Sequence, residues 1–400
     1  MRVLLINSVV GYGSTGRIVQ SIYTRILEEG NEAMVIFGRG DIPKNINSLK
    51  ISSNLDIYIH VMLSRLLDKQ GFLSTRKTKN IIKKIKEYDP DIIHLHNLHG
   101  YYINVSVLFD YLIDSGKRVI ITMHDCWNFT GHCTHFVSID CEKWKTHCHK
   151  CPLKMEYPRS YFLDSSYKNF EKKKNIFSSI SNLTIITPSF WLKSLTTESI
   201  MNKHEIVTIN NGIDLSIFRP VHSDFKAKYG LENKKIILGV SNVWNKKKGF
   251  DVFIKLSSVL DSKYQIVLVG LSFKQVQNLP ENIIGFTKTN DINDLVKIYS
   301  SADLFINPTL EDTFPTVNIE ALACGVPVIT YNTGGSPEII DDTCGIVITS
   351  NNFVDLVNSI ISFDYSSILR ENAVRRAQKY DEHTMLDKYI DLYNKIEEVR

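Results

Sequence analysis

Near its start the chain reads Val3-Leu4-Leu5-Ile6-Asn7-Ser8-Val9-Val10-Gly11-Tyr12-Gly13-Ser14-Thr15-Gly16, an apolar run that passes into a glycine-rich loop. The periodic stretch Ile18 to Leu27 that follows predicts a helix. A short strand, a tight loop that needs glycine and a helix, in this order, are typical of the first unit of a parallel α/β sheet.

The same alternation continues through both halves of the chain. Strand-like apolar runs lie at residues 33–37, 92–95, 119–122 and 183–187, and again at residues 236–240, 265–269, 283–286, 304–307 and 326–330. Helix-like stretches separate them, as crossovers between parallel strands require. Both halves therefore predict an α/β fold.

The pattern breaks into turn residues at Asn210-Asn211-Gly212-Ile213-Asp214. Because 400 residues exceed what one core usually supports, we predict two domains, at residues 1–212 and 213–380. The segment Glu382 to Val399 places apolar residues at helical spacing, so we predict a closing amphipathic helix within residues 381–400.

Composition argues against several classes of protein. No apolar run approaches about 18 residues, and the N-terminus enters a strand pattern directly, so we expect neither a membrane span nor a signal peptide. Five of the seven cysteines lie between Cys126 and Cys151, which favours reduced thiols or a metal cluster, and hence the cytoplasm. A net charge of +4 is too small to indicate a nucleic-acid partner.

Basic residues are concentrated in one stretch, which contains Arg76, Lys77, Lys79, Lys83, Lys84 and Lys86. Interleaved Ile81, Ile82 and Ile85 give this stretch an apolar side at helical spacing. Two interpretations stay open: a solvated helix face, and peripheral docking to an anionic membrane.

A phosphate-binding helix start is predicted in the segment Thr309 to Gly325, which follows the strand at residues 304–307. A helix that begins near Thr316 or Val317 presents unpaired amides and a positive dipole end, which together favour a diphosphate. Glu320, one turn in, can accept hydrogen bonds from ribose hydroxyls, and Asp312 can hold a sugar hydroxyl. The alternative is that these carboxylates only cap the helix.

A second candidate loop, Asn242-Val243-Trp244-Asn245-Lys246-Lys247-Lys248-Gly249, follows the strand at residues 236–240. Lysine is a natural partner for phosphate, and the alternative is a solvated basic turn. A third segment, Asp91 to Tyr102, carries His94, His96 and His99. For it we prefer strand histidines with satisfied hydrogen bonds over a metal site, and we expect His99 and Asn97 to touch an acceptor.

These motifs resemble glycosyltransferase family 4, the glycosyl transferases group 1, and the resemblance spans nearly the whole chain. Its most specific part is Asp312 to Gly325 followed by Val326-Pro327-Val328-Ile329, which resembles the family's E-x7-E segment with Glu320 as the second glutamate. Lys248-Gly249 and the turn Thr333 to Glu338 also fit the family's pattern.

The N-terminal half carries further parts of the resemblance. Gly13-Ser14-Thr15-Gly16 resembles the loop near the reacting sugar, and His124-Asp125 resembles the family's sugar-contacting histidine. Two positions depart from the pattern, since Asp312 replaces a glutamate and Asn242 replaces an arginine that many members have. Glu311 and Lys247 are the neighbours that could compensate.

The resemblance implies a GT-B fold, with two Rossmann-like domains that face each other across a cleft and a last helix that returns to the first domain. It implies His124, Lys248, Asp312 and Glu320 as catalytic residues. The implied residues for donor binding are Gly16, Asn242, Lys247, Phe286, Phe314, Pro315, Thr316 and Val317.

The implied activity is retaining transfer of a sugar from a UDP- or GDP-sugar to a glycan or lipid-linked glycan of a bacterial surface polysaccharide, such as a capsule or lipopolysaccharide. The implied location is the cytoplasm, at the inner face of the plasma membrane. We find no aspartate-rich metal motif for the diphosphate, so we expect catalysis without an obligatory divalent ion. The alternatives are a nucleotide-sugar epimerase of similar fold and a non-catalytic sugar-binding protein.

The segment at residues 126–151 is rich in cysteine and histidine. Cys133, Cys141, Cys148 and Cys151 are spaced C-x7-C-x6-C-x2-C, so four thiolates could bind a structural zinc ion tetrahedrally. The alternative is a set of free thiols that stabilise the loop by packing. The position of this loop after His124 suggests that it shapes the acceptor side.

Overall fold

The structure is a computed structural model that describes residues 1–349, 351–363 and 370–398. The chain divides into two compact units. Unit 1 contains residues Met1–Ile209 together with the residues from Leu386 onward, and unit 2 contains Asn210–Met385.

Unit 1 is built on a parallel sheet with the strand order β3-β2-β1-β4-β5-β6-β7. Its strands are β1 (Arg2–Asn7), β2 (Glu32–Phe37), β3 (Ser48–Lys50), β4 (Ile92–Leu95), β5 (Arg118–Thr122), β6 (Leu183–Thr187) and β7 (Glu205–Thr208). Its helices are α1 (Gly13–Glu28), α2 (Asn54–Leu67), α3 (Thr75–Tyr88), α4 (Val105–Ser115), α5 (Lys143–Thr146), α6 (Ser166–Ser179) and α7 (Phe190–Thr197).

Unit 2 has its own parallel sheet, in the order β10-β9-β8-β11-β12-β13. The strands are β8 (Lys235–Val240), β9 (Tyr264–Val269), β10 (Ile283–Phe286), β11 (Leu304–Asn307), β12 (Val328–Tyr331) and β13 (Gly345–Ile348). The helices are α8 (Phe225–Tyr229), α9 (Phe250–Val259), α10 (Phe273–Gln277), α11 (Ile292–Ser301), α12 (Thr316–Ala323), α13 (Ser336–Ile339), α14 (Phe353–Ile361) and α15 (Arg370–Ala377).

The central strands form because their apolar runs can be buried on both faces of a sheet. In β1 the five residues from Val3 to Asn7 are all buried, and Leu4 pairs with Met34 of β2 and with Ile93 of β4. Leu4 and Ile6 lie on one face of the sheet, because side chains alternate along a strand, and both join the main apolar cluster of unit 1. The apolar runs at residues 92–95, 183–187, 283–286 and 304–307 are confirmed as strands.

Three short strands, β3, β7 and β13, lie at sheet edges and were not expected from the sequence. All residues of β3 are only partly buried, and β7 is partly buried apart from its exposed first residue. An edge strand buries less apolar surface than a central one, so its sequence carries a weaker apolar pattern.

The last helix, α16 (Glu382–Glu398), begins in unit 2, and its residues from Leu386 onward belong to unit 1. Tyr393 there is buried, and its hydroxyl lies 2.6 Å from Nδ1 of His94 in β4. The predicted helix end at Val399 lies outside the described residues.

Both sheets reverse their strand order at one place, between β1 and β4 in unit 1 and between β8 and β11 in unit 2. At such a switch point the loops that leave the two neighbouring strands run in opposite directions. A crevice therefore opens at the carboxyl ends of the strands, where ligands of parallel sheets bind. The loops at these two places are therefore the candidate ligand-binding loops of each unit.

Candidate functional site

In unit 2 the loops that leave β8 and β11 meet through two lysine–carboxylate pairs. Nζ of Lys248 lies 2.6 Å from Oδ2 of Asp312 and donates to the carbonyl of Glu311 at 3.2 Å. Nζ of Lys247 lies 2.8 Å from Oε2 of Glu311. The structure therefore brings Lys247, Lys248 and Asp312 together at the switch point.

The backbone fixes the same two loops against each other. The amide of Leu310 donates to the carbonyl of Lys247 at 2.7 Å. Gly249 has φ +78°, and a Cβ there would lie 2.5 Å from Cγ of Pro308. Only glycine allows both this backbone conformation and this close approach, so Gly249 sets where Lys248 sits.

The start of α12 follows directly. Its first residue is Thr316, as the sequence predicts, and Pro315 precedes it. Pro315 has no N–H, so the donors of the first turn are the amides of Thr316 and Val317. The ring of Phe314 is buried against Tyr380, with 5.5 Å between the ring centroids, and its backbone amide donates to Oδ1 of Asp312 at 3.3 Å.

A second glycine turn packs against this segment. Gly334 has φ +58°, and a Cβ there would lie only 1.6 Å from the carbonyl oxygen of Asp312. The glycine of the Thr333 to Glu338 motif therefore allows the backbone of this turn to lie directly against the backbone of Asp312.

Glu320 lies one turn into α12, where its carboxylate is held by two hydroxyls. Tyr299 donates to Oε2 at 3.0 Å, and Thr316 donates to Oε1 at 3.4 Å. Burial, together with the Glu320 carboxylate, raises the pKa of Tyr299 well above its usual value, so the phenol remains a donor at neutral pH.

Two predicted donor-binding residues lie in other surroundings within unit 2. Asn242 is exposed and lines a surface cavity with Gly270, Ser272 and Thr287. The ring of Phe286 packs on Phe225, with 6.0 Å between the centroids. The structure does not place either side chain against Lys248 or Asp312 in the contacts that it describes.

In unit 1 the glycine-rich loop after β1 leads into α1. Gly11 and Gly13 both have positive φ, +79° and +67°. Gly16 is buried, and a Cβ there would lie 3.1 Å from Cγ2 of Val9, which explains the small residue at this position. Asn97, which follows β4, donates to the hydroxyl of Thr15 at 3.4 Å, so the loops at the switch point of unit 1 are also joined.

His124 follows β5 and stacks on His96, with 5.4 Å between ring centroids. Nε2 of His124 lies 3.1 Å from Nδ1 of His96. Burial lowers the pKa of His124 to about 4, so the imidazole is neutral at pH 7. A neutral ring offers a directed hydrogen bond to a sugar hydroxyl rather than a charge.

Behind these rings His94 is fully buried in β4, and both of its nitrogens have partners: Nε2 lies 2.8 Å from the hydroxyl of Thr122, and Nδ1 meets Tyr393. The expectation of satisfied hydrogen bonds is confirmed for His94, whereas among the described residues Nε2 of the buried His96 has no hydrogen-bond partner. Thr122 also meets the hydroxyl of Tyr389 at 3.2 Å, so α16 buttresses the histidine stack.

A pair that the sequence does not reveal lies beside His124. Nε2 of His99 lies 2.7 Å from Oδ2 of Asp125, and Nδ1 of His99 lies 3.2 Å from the hydroxyl of Tyr157. Burial raises the pKa of Asp125, but His99 outweighs this effect and the pKa falls to about 2. The sequence held one indication of this pair, because His99 follows β4, Asp125 follows β5, and these two strands are neighbours in the sheet.

Two family models match the chain. One, described as Glycosyltransferase Family 4, matches residues 15–217, which is just over half of the chain, and one described as Glycosyl transferases group 1 matches residues 221–380. The chain belongs to Glycosyltransferase Family 4. The resemblance inferred from its motifs is thereby confirmed, and the chain is a glycosyltransferase.

Proteins of similar sequence are also named as glycosyltransferases. The glycosyltransferase is 23% identical to a protein of Escherichia coli K12 named "Putative colanic acid biosynthesis glycosyl transferase WcaC", with 99% of this chain and 100% of the relative covered. It is 25% identical to the N,N'-diacetylbacillosaminyl-diphospho-undecaprenol alpha-1,3-N-acetylgalactosaminyltransferase of Campylobacter jejuni, over 49% of this chain and 56% of that protein.

Solved structures share the fold of the glycosyltransferase. Sucrose-phosphate synthase of Thermosynechococcus elongatus matches with a TM-score of 0.73 and 15% identity, covering 100% of each chain. Anabaena HepE, solved in complex with UDP-glucose, matches with a TM-score of 0.67 and 15% identity, covering 99% of this chain and 100% of that one. The predicted fold class, GT-B with two Rossmann-like α/β units, is confirmed.

The four cysteines of the glycosyltransferase's predicted zinc site, Cys133, Cys141, Cys148 and Cys151, line one small cavity. None of the four forms a disulfide, which both the zinc interpretation and the free-thiol interpretation require. In the described ranges no group of three or more His, Cys, Asp and Glu side chains is arranged to hold a metal ion. The four thiols share a cavity but are not arranged as a ligand set for a metal ion, so the zinc site stays a prediction.

A buried lysine of the glycosyltransferase lies beside these thiols. The ammonium of Lys173 donates to the carbonyls of Trp127, at 2.5 Å, and Thr130, at 2.9 Å. Burial lowers its pKa to about 7, against the opposing effect of Cys148 and Cys133. Lys173 thus anchors the segment after His124 to α6.

Among the helices described for the glycosyltransferase, none combines the length and the apolarity that crossing a bilayer requires.

Proposed function

We propose that the protein is a retaining glycosyltransferase that moves a sugar from a UDP-sugar to a lipid-linked glycan during assembly of a bacterial surface polysaccharide. The support for this acceptor class is the colanic acid name of the full-length relative and the diphospho-undecaprenol acceptor in the name of the Campylobacter relative. The support for UDP is the UDP-glucose complex of the HepE neighbour.

The observation that carries the proposal is the arrangement of Lys248 and Asp312 beside the first turn of α12. A nucleoside diphosphate needs positive groups that are already in place, because reorganising them during the reaction would raise the barrier. The ammonium of Lys248 and the amides of Thr316 and Val317 provide these groups. We assign the diphosphate to them.

Three further residues, one of α12, one of the loop before it and one of unit 1, are proposed to contact the ribose and the sugar of the donor. Glu320 would accept hydrogen bonds from the ribose hydroxyls, because Tyr299 and Thr316 hold its carboxylate in one orientation. Asp312, whose Oδ2 binds Lys248, keeps acceptor capacity for a sugar hydroxyl. His124 of unit 1, neutral at pH 7, is the proposed histidine contact of the donor sugar.

In the proposed reaction the bond between the anomeric carbon and the β-phosphate oxygen breaks, and the acceptor oxygen bonds to that carbon on the same face. The acceptor hydroxyl proton passes to the departing phosphate oxygen, so charge balances without another reactant. Lys248 and the α12 amides stabilise the negative charge that grows on the leaving group. We propose that no divalent ion is obligatory, and turnover that persists in chelator would support this.

The experiment is a turnover assay with UDP- and GDP-sugars and lipid-linked glycan acceptors, with donor alone as a parallel reaction. Transfer that requires the acceptor supports the proposal. Conversion of donor without acceptor would indicate an epimerase, and tight nucleotide binding without any turnover would indicate a non-catalytic binding protein. Products analysed by NMR report whether the anomeric configuration is retained. Faster turnover with GDP-sugars would overturn the donor assignment alone.

The proposed location is the cytoplasm, at the inner face of the plasma membrane, where nucleotide sugars and a lipid-linked acceptor meet. Localisation of a tagged protein, compared with a soluble cytoplasmic marker, tests this assignment.

A structural zinc ion bound by Cys133, Cys141, Cys148 and Cys151 is a separate proposal. Its support is that the four residues line one cavity with Trp144. The test is metal analysis of the purified chain, which would give about one zinc that Cys148→Ser and Cys151→Ser remove. Four readily titrated thiols and no zinc would contradict it.

A further inference from the structure

Helix α2 buries polar side chains and exposes several large apolar ones, which is the reverse of the usual arrangement. Its buried residues are His60 and Ser64. Five of its large apolar residues, Leu55, Tyr58, Ile59, Met62 and Leu66, are exposed, with Leu55 at 68% and Tyr58 at 67%. Ile57, Leu63 and Leu67 are half-buried. A helix on the surface of a water-soluble unit ordinarily buries its apolar side, so this arrangement indicates a partner for that side.

A neighbouring segment extends the exposed apolar side. The amide of Tyr161 donates to the carbonyl of Arg65 at 2.7 Å, and the amide of Leu163 donates to the carbonyl of Leu66 at 3.3 Å. Phe162, between them, is 70% exposed, and Tyr161 and Leu163 are exposed as well. We call these side chains together the α2 apolar surface: Leu55, Tyr58, Ile59, Met62, Leu66, Tyr161, Phe162 and Leu163.

Positive charge borders this surface. Lys77 of α3 pairs with Asp56 of α2 at 2.8 Å, which joins the start of α3 to the start of α2. The rest of α3 is strongly basic, and the side chains of Arg76, Lys79, Lys83, Lys84 and Lys86 are exposed. Two further exposed basic residues adjoin the surface: Arg65 belongs to α2, and the guanidinium of Arg159 lies 5.9 Å from the ring centroid of Tyr161.

We propose that the α2 apolar surface docks on an anionic membrane, with its apolar side chains in the interfacial layer and the basic residues of α3 against lipid phosphates. Apolar side chains rimmed by lysine and arginine match this occupant, because burial of apolar area and attraction to anionic headgroups add to each other. Tyr58 and Tyr161 suit the boundary, where an aromatic ring is buried while its hydroxyl stays wet.

A second copy of the chain fits the surface less well. In a two-fold dimer the same patch meets itself, so the basic rims of the two copies would lie opposite each other. Like charges across an interface oppose association, whereas the same charges favour an anionic bilayer.

The surface is also linked to the acceptor side of unit 1. The side-chain amide of Gln70, just beyond α2, donates to the carbonyl of His99 and to the hydroxyl of Tyr157, the latter at 3.2 Å. Tyr157 in turn precedes Tyr161 to Leu163 and meets His99. Docking would therefore place the membrane next to the segment that supports the His99–Asp125 pair, and this link to a lipid acceptor rests on the proposed function.

The experiment is co-sedimentation of the full chain with vesicles of phosphatidylglycerol and phosphatidylcholine, compared with vesicles of phosphatidylcholine alone. We expect binding that depends on the anionic lipid and weakens with salt. The triple variant Tyr58→Ser, Met62→Ser, Phe162→Ser should weaken binding at least tenfold, and Lys79→Glu with Lys83→Glu should do the same. Val354→Ser changes a 65% exposed apolar residue of unit 2 and serves as the matched control.

Binding by the triple variant equal to that of the unchanged chain would overturn the inference, as would no binding to anionic vesicles. A dimer that the triple variant dissociates, without vesicle binding, would assign the surface to a second copy instead. Turnover with a water-soluble acceptor is measured in parallel and should be unchanged in the triple variant. Failure of the docking surface is thus distinguishable from failure of the proposed reaction.

Discussion

The ammonium nitrogen of Lys248 lies 2.6 Å from Oδ2 of Asp312, and the two residues come from loops that leave neighbouring strands, β8 and β11. Their side chains are 34% and 22% exposed, and an ion pair this accessible to water adds little to stability. The pair therefore matters more for where it places the two side chains than for the stability of the fold. It places the ammonium of Lys248 in the segment that leads into α12, where we propose that the diphosphate binds.

Replacing Lys248 by Ala should weaken UDP binding by about 10- to 100-fold, because a charge-assisted hydrogen bond contributes about 1.5 to 3 kcal/mol. Isothermal titration calorimetry measures the effect. Lys246→Ala is the matched control, since Lys246 belongs to the same loop and is exposed. An equal loss in both variants would mean that only the net charge of the loop matters.

Asp312→Asn should separate sugar handling from nucleotide binding. The substitution removes a negative charge beside the proposed diphosphate, so UDP should bind equally well or more tightly. Turnover should fall by about 100-fold if the carboxylate orients the donor sugar. Steady-state kinetics with a UDP-sugar, set beside UDP affinity, checks this, and parallel losses in both would argue against a sugar contact.

Glu320→Ala should cost affinity only for ligands that carry ribose hydroxyls. We expect about a tenfold loss for UDP and little change for 2′,3′-dideoxy-UDP, because the second ligand has nothing to donate to the carboxylate. Competition binding with both nucleotides makes the comparison. Tyr299→Phe should reproduce a smaller loss, since it frees the carboxylate to rotate.

Unit 1 should lose stability in mild acid. Burial lowers the pKa of His60 and His124 to about 4 and that of His94 to about 3. In the unfolded chain these histidines take up protons near pH 6.5, whereas in the folded chain they do so only at about pH 4 or below. The contribution of each histidine to stability is thus complete above about pH 6.5, and it falls by about 1.4 kcal/mol for each pH unit from there down to the pKa of that histidine in the folded chain.

Hydrogen exchange at pH 7 and pH 5 tests this, with the expected loss of protection in peptides of β4 and β5. His60→Gln should flatten the pH dependence, since it removes one of the histidines of unit 1 whose pKa is lowered by burial. An unchanged pH slope would show that His60 does not contribute.

Much of the fold could be predicted from the sequence because central parallel strands are continuous apolar runs. Residues 92–95 and 304–307 show this, since strands buried on both faces consist mainly of apolar residues, and their single polar residues, His94 and Asn307, are hydrogen-bonded. Edge strands such as β3 carry no such pattern. The inverted face of α2 could not be predicted either, because apolar spacing on a helix does not say which side faces the core.

For the candidate site, the sequence predicts which loops carry it, but it does not predict how their side chains pair. Lys248 and Asp312 are 64 residues apart, and only the strand order that places β8 beside β11 brings them together. The His99–Asp125 pair depends in the same way on β4 lying beside β5. Conversely, closeness in the sequence does not ensure contact: Asn242 belongs to the same loop as Lys248, but its side chain lines a separate surface cavity.

The central claim is that the diphosphate of the donor binds where Lys248 meets the start of α12. A crystal structure with a bound UDP-sugar tests it most directly. The account predicts β-phosphate oxygens within about 3 Å of Nζ of Lys248 and of the amides of Thr316 and Val317. A diphosphate bound elsewhere, with Lys248 still on Asp312 alone, would contradict the account.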